Sequence, residues 1–580
     1  MKAFANRCSL LFFLALLIPF LVEAQTPDYP SRISPLINQY RADIGSLDRT
    51  YKLEITDAYY DKMETFYQDW LTKLSKITYA ELNTAEGIDF VLLQRDIKRD
   101  LDELRADRQA TNDVRNTITF ASIISSFEQK RRVGTDIEGQ ALAKDLNNLS
   151  NKIKENEQQL KEADRLTYHQ SRKAVDAAEN LREVLQDSYE FYDGYDPDVT
   201  WWAEKPYKKA DSLLGNYISF LEEWRKDQSK KDDGSGIIGN PIGRDEIIKR
   251  LEYEMIDYTP QELIKLANKE FEWCQNEMIK ASRDLGYGDD WRAALEHVKE
   301  TYVPAGKQPE AIYDLATGAT QFLEERDLLT IPELAKNTWR MNMMSPQRQL
   351  VSPFFLGGEV ILISYPTNTM EHDAKMMSMR GNNPNFSKAT VHHELIAGHH
   401  LQGFMNSRYK SHRYMFYTPF WVEGWALYWE LRLWDMGFPE TPEERIGMLF
   451  WRMHRSARIT FSLSYHLGEM SPQESIDLLV NKVGHEYANA EAEVRRSFTG
   501  NYGPLYQIAY LVGGLQFRAL HHEFVTNGSM TEKQFHDTVL QNGTIPVDMV
   551  RHVLMDQKPE KEYQSNWDFY ISSEEISRKY

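Results

Sequence analysis

Residues 391–402 read VHHELIAGHHLQ, which places four histidines and a glutamate within nine residues. The metal-binding helix pattern His-Glu-x-x-His would need a histidine at 397, and Ala397 stands there instead. In a regular helix, residues seven apart share a face, which pairs His392 with His399 and His393 with His400. Their α-carbons would then lie ~10.5 Å apart along the axis. That is a strained reach for two imidazoles on one zinc, whose Zn–N bonds are ~2.0 Å. Gly398 is the weak helix former of the stretch. A bulge or widened turn at Ala397-Gly398 would bring a second histidine back towards the first. The spacing therefore admits a metal only on a distorted helix. The other reading is a hydrogen-bonded histidine group in a core or on a surface.

Downstream, residues 420–430 (FWVEGWALYWE) set Glu423 in an apolar, aromatic helix, where an unpaired carboxylate is expensive. It falls 24 residues after His399. Metal coordination, an arginine partner or a surface position would each account for it. Upstream, residues 352–366 (SPFFLGGEVILISYP) carry two apolar runs around Gly357-Gly358, which predicts a short β-hairpin. The chain otherwise reads as helix. In residues 90–108, Leu93, Ile97, Leu101 and Leu104 fall on one face. Residues 146–185 read as one long, charged amphipathic helix that forms an antiparallel pair with its neighbour. No catalytic motif precedes residue 230. A charged, Gly- and Ser-rich break follows at 225–246, reading as a connection between lobes or a loop within one. Thr259-Pro260 before Glu262 marks a helix start, and helical patterns run from there to about residue 343.

At 580 residues, with 42% apolar residues, the chain is long enough for two lobes or one large helical body. A net charge of -19 without a basic patch argues against nucleic acid or an anionic membrane as main partner. The N-terminal stretch MKAFANRCSLLFFLALLIPFLVEAQ has Lys2, Arg7, an apolar run and Val22-Glu23-Ala24. That is the pattern of a secretory signal peptide cut before Gln25, so a secreted or periplasmic protein is expected, with no membrane insertion after cleavage. An uncleaved anchor is the other reading, against which the apolar run is short. Cys8 leaves with the signal, so only Cys274 remains of two cysteines and no internal disulfide forms. The expected division is 1–24 signal peptide, 25–230 N-terminal helical region and 231–580 catalytic region.

HHELIAGHHLQ followed by EGWALYWE resembles the bacterial family called domain of unknown function 885, whose signature is His-Glu-x-x-Pro-Gly-His-His. RITFSLSYH resembles that family's Arg-x-x-x-Asp-x-x-x-His segment, aligning Arg458 and His466. EVRRSFTGNYGPLYQIAYLVG resembles a further segment, aligning Arg496, Pro504, Tyr510 and Gly513. The resemblance covers roughly residues 235 to 580. The chain departs from it at Ala397 (for proline), Ser462 (for aspartate), Ser497 (for tyrosine) and Leu505-Tyr506 (for Gly-Gln).

That family is similar in turn to helical zinc peptidases of the angiotensin-converting-enzyme and thimet-oligopeptidase type. The resemblance implies a mainly α protein: a large helical metallopeptidase-like body with a central cleft, the short β-hairpin lying near the active site. It implies one zinc ion per chain, held by His393, His399 and Glu423, with His400 as rival second ligand. Glu394 would be the general base, and Tyr510, or else His466, would stabilise the oxyanion. Arg458 and Arg496 suit a substrate carboxylate, since a guanidinium fork matches it; a structural ion pair is the other reading of each. The expected activity is hydrolysis of short peptides, by an exo- or oligopeptidase rather than an endoprotease. An amidase, or a peptide-binding protein with a decayed site, are the alternatives. His521-His522-Glu523 reads as a surface or supporting group, and residues 371–375 (EHDAK) as a structural, loop-like run.

Overall fold

The computed structural model describes residues 31–226, 232–351, 357–364, 366–500 and 502–577. The signal sequence expected at 1–24 lies outside these residues. So do residues 227–231 of the connecting stretch and residues 352–356 of the expected hairpin's first arm. The protein is mainly α: the described residues form 24 α-helices and one two-stranded sheet.

Local sequence explains where the helices begin. Asn83 and Glu86 close a capping box at the start of Thr84–Asp113, on which Leu93, Ile97, Leu101 and Leu104 are all buried. Thr259 and Glu262 do the same for Pro260–Asp284, whose proline occupies the first turn, where no N–H is needed. Residues 146–185 are not one helix. Gly139–Lys161 ends, and Thr167 with Gln170 caps a fresh start at Tyr168–Glu190. Both pack on Pro197–Glu223. The EHDAK run is not a loop either, since the helix His372–Gly381 takes in most of it.

The first arm of the expected hairpin lies outside the described residues, and the sheet among them is a parallel pair. Strand β2 (Val360–Ile363) follows Gly357-Gly358, but its partner is β1 (Arg340–Met343), paired in parallel with Arg340 opposite Val360. A parallel pair needs a crossover rather than a tight turn, and the chain supplies one through Pro346–Val351. Gly357-Gly358 instead carries the chain across Glu394. The Gly358 N–H donates to the Glu394 carbonyl at 3.1 Å, and a Cβ on Gly357 would stand 2.3 Å from that of Glu394.

The larger hydrophobic core runs from Ile33 and the Thr84–Asp113 helix to Phe569 near the C-terminus. A smaller core is built from Leu53, Ile55 and residues between Val114 and Leu221. The first helices are locked to the main body by buried Asp89. It accepts from Ser31 Oγ, from His412 Nε2 at 3.0 Å and from Arg413 Nε at 2.7 Å. Among the described residues, no helix is long and apolar enough to cross a membrane.

Two glycine contacts set the helices around the site. The helices Pro419–Asp435 and Tyr506–His521 meet at Gly424 and Gly513, where an added Cβ on Gly513 would lie 2.0 Å from the Phe420 carbonyl oxygen. Gly447, on Pro442–His466, touches Asn385 in the first turn of Pro384–Glu394 in the same way. These contacts bring the histidine stretch, Glu423, Arg458 and Tyr510 around one cavity of about 400 Å³.

Candidate metal centre

The stretch 391–402 is two helices, not one. Pro384–Glu394 ends, the chain turns through Leu395–Gly398 with a cis Ile396–Ala397 bond, and a new helix runs His399–Asn406. Gly398 makes this turn possible: a Cβ there would lie 1.8 Å from the His393 carbonyl oxygen, so no other residue fits. The Gly398 N–H donates to the His392 carbonyl at 2.9 Å, and Trp425 Nε1 donates to the Ala397 carbonyl at 2.9 Å. The turn folds His399 back until its ring lies 4.8 Å from that of His393.

Glu423 faces both rings. Its Oε2 lies 3.5 Å from His393 Nε2 and 3.3 Å from His399 Nε2, and the three side chains offer ligand atoms within 4.8 Å of one another. Tetrahedral ligands at ~2.0 Å from zinc stand roughly 3.3 Å apart, so these separations suit one small metal ion. Glu423 Oε2 is buried and has no hydrogen-bond partner among the described residues, whereas Oε1 accepts from the Tyr506 hydroxyl.

The far side of each imidazole is also set. His393 Nδ1 lies 2.8 Å from Oε1 of buried Glu430, itself 3.4 Å from Arg455 Nη2. The Gln402 amide sits 2.7 Å from His399 Nδ1. The Glu430 carboxylate behind Nδ1 leaves His393 Nε2 free to bind a metal, and the Gln402 amide does the same for His399 when its oxygen rather than its nitrogen faces Nδ1. The donor set therefore fits zinc, with two imidazoles, one carboxylate and room for a fourth ligand. His400 turns away, its Nε2 lying 2.7 Å from the Ala335 carbonyl oxygen. His392 is buried beside Phe438.

Electrostatics follow from this crowding. Burial alone would lower the His393 pKa, but Glu423 and Glu430 override it and raise it to about 9. Burial would raise Glu423, yet the flanking imidazoles hold it well below the usual carboxylate range. Burial pushes Glu394 upward; it lines the cavity beside His393 and His399.

The other expected residues separate. Tyr510 lines the cavity, its ring stacked 6.1 Å from that of His393. Arg458 and Arg496 also line it and share one buried carboxylate, donating from Nε to opposite oxygens of Glu493 at 2.7 and 2.6 Å. The structure does not bring His466 to the cavity wall: its imidazole packs on Tyr465 and Phe498, and burial lowers its pKa to about 4. His521 pairs with Glu532 and Glu523 with Arg551, both structural contacts.

Sequence reasoning missed five contributors: Glu430, Gln402, Glu493, Tyr506 and Gly357. A signal existed for Glu430, which lies seven residues after Glu423 and so on the same helix face.

A family model described as "Bacterial protein of unknown function (DUF885)" matches residues 41–554. No curated protein matches. A solved structure from Shewanella oneidensis, described as "a putative lipoprotein of unknown function", is 16% identical with a TM-score of 0.66. It covers 90% of this chain and 99% of its own. Another, "the putative lipoprotein from Colwellia psychrerythraea", is 16% identical with a TM-score of 0.49, covering 68% and 71%. At such identity the Shewanella structure shows likeness of fold alone. The family match spans most of the chain, so the chain belongs to the bacterial family of proteins of unknown function, DUF885.

Proposed function

We propose that the protein is an exported zinc-dependent peptidase that hydrolyses short peptides. The observation that carries this reading is the convergence of Glu423 Oε2 with Nε2 of both His393 and His399 in a cavity that also holds Glu394. Those three residues would hold the metal. When bound, zinc supplies Lewis acidity towards the scissile carbonyl and lowers the pKa of water at the open position.

The chain's own residues do the rest. Glu394 takes a proton from the attacking water and passes it to the leaving amine. Its burial raises its proton affinity, as suits a group that must hold that proton between the two steps. Tyr510, on the same cavity wall, donates to the developing oxyanion. Tyr506 plays a different part, because its hydroxyl already donates to Glu423 and orients that ligand. Export is supported by the signal-like N-terminus and by the description of the Shewanella structure as a putative lipoprotein.

The test is hydrolysis of a mixed short-peptide pool by the zinc-loaded protein and by Glu394→Gln. Cleavage by wild type, with a drop of at least about 100-fold in the variant, supports the reading. Equal rates, or none in either protein, refute it.

A further inference from the structure

One wall of the cavity carries more guanidinium than carboxylate. Arg458 and Arg496 share the single carboxylate of Glu493, so one of their two positive charges has no partner there. Arg455, on the same helix as Arg458, comes no closer than 3.4 Å to Glu430, which already serves His393. Arg458 is 3% exposed, and its Nη1 has no hydrogen-bond partner among the described residues. A buried donor left so has lost its water without gaining an acceptor, a cost that an anionic ligand would remove. Guanidinium forks match a carboxylate in shape as well as charge.

The position of this wall limits which carboxylate it meets. The Tyr510 ring lies 4.5 Å from the Arg458 guanidinium and 6.1 Å from the His393 ring. One tyrosine thus links the arginine wall to the candidate metal ligands. Extended peptide advances ~3.4 Å per residue, so only a few residues bridge that gap.

Resting on the peptidase reading above, we propose that Arg458 and Arg496 capture the C-terminal α-carboxylate of the substrate, so that the enzyme cuts a short segment from the C-terminus. Water adds its oxygen to the acyl carbon, the C–N bond breaks, and the leaving amine gains the proton carried by Glu394. Glu493 holds both guanidiniums in place and keeps the empty wall from carrying two unmatched charges.

The test uses one peptide in three forms: free at both ends, N-acetylated, and C-amidated with an acidic final side chain. Binding to zinc-loaded Glu394→Gln is measured by calorimetry, and cleavage by wild type is read by mass spectrometry. The N-acetyl form is expected to bind and react like the free peptide, losing a short C-terminal piece. The C-amide is expected to bind roughly 10–100-fold more weakly, its acidic side chain failing to substitute. Arg458→Gln is expected to bring the acid-to-amide ratio close to one. Arg496→Gln, at a more exposed guanidinium, makes the same test if the first variant does not fold. Equal handling of acid and amide, or loss on N-acetylation, overturns the C-terminal assignment while leaving the peptidase reading standing. Failure of all three forms to bind or react overturns both.

Discussion

Replacing Glu430 by glutamine isolates the group behind the first histidine. Glu430 is 5% exposed, and its Oε1 lies 2.8 Å from His393 Nδ1 and 3.4 Å from Arg455 Nη2. The amide keeps the volume and can still accept from Nδ1–H. What disappears is the negative charge that makes His393 a better donor and balances Arg455. Supporting groups of this kind change metal affinity by roughly 10–100-fold, about 1.4–2.7 kcal/mol. The assay is competition for zinc against a chromophoric chelator at fixed pH, comparing wild type, Glu430→Gln and Glu523→Gln. Glu523 pairs with Arg551 outside the cavity and serves as the control. A tenfold or greater loss confined to Glu430→Gln is expected. An unchanged zinc affinity in a folded Glu430→Gln protein would refute the argument that this carboxylate orients His393.

Gly398→Ala should abolish tight zinc binding and destabilise the fold by about 1–3 kcal/mol, because its methyl would meet the His393 carbonyl oxygen at 1.8 Å. Near-normal zinc content in that variant would show that the turn tolerates a side chain. Zinc affinity should weaken as pH falls from 9 towards 7, by about tenfold per unit, since His393, with a pKa of about 9, binds a proton there that the metal must displace. A flat profile over that range would contradict it. In metal-free protein the same raised pKa gives stability that is fully present below pH about 6.5 and lost as pH rises through about 9; denaturant midpoints across that window measure it. Asp89→Asn should cost about 3 kcal/mol of stability, because Arg413 would stay buried without its carboxylate. A loss below ~0.5 kcal/mol in urea titration would mean that the first helices are not held to the main body in this way.

The helical character was legible because it is local. The spacing of Leu93, Ile97, Leu101 and Leu104, and the Thr259–Glu262 capping box, lie within a few residues of one another. The break within 146–185 was missed because the amphipathic pattern on both sides hid the capping residue Thr167. The partner of β2 was missed for a different reason. Two apolar runs around a Gly-Gly pair suggest a tight turn, whereas the partner strand lies upstream and pairs in parallel.

At the candidate site, His393, Glu394, His399 and Glu423 are named by the family resemblance, while the spacing alone leaves the choice of histidines open. How the two imidazoles reach one another could not be fixed, because periodicity describes regular helices and this one stops at Glu394 and restarts at His399. Glu493 and Tyr506 act through contacts between helices far apart in the chain. Nothing in the spacing marks Glu493 as the residue that two arginines share.

The most direct measurement of the central claim is zinc content by elemental analysis after loading and desalting. It compares wild type with His393→Ala, His399→Ala, His400→Ala and Glu394→Gln. About one zinc per chain is expected in wild type, Glu394→Gln and His400→Ala, and little or none in His393→Ala and His399→Ala. No bound zinc in folded wild type, or zinc lost in His400→Ala but kept in His399→Ala, would contradict the site described by His393, His399 and Glu423.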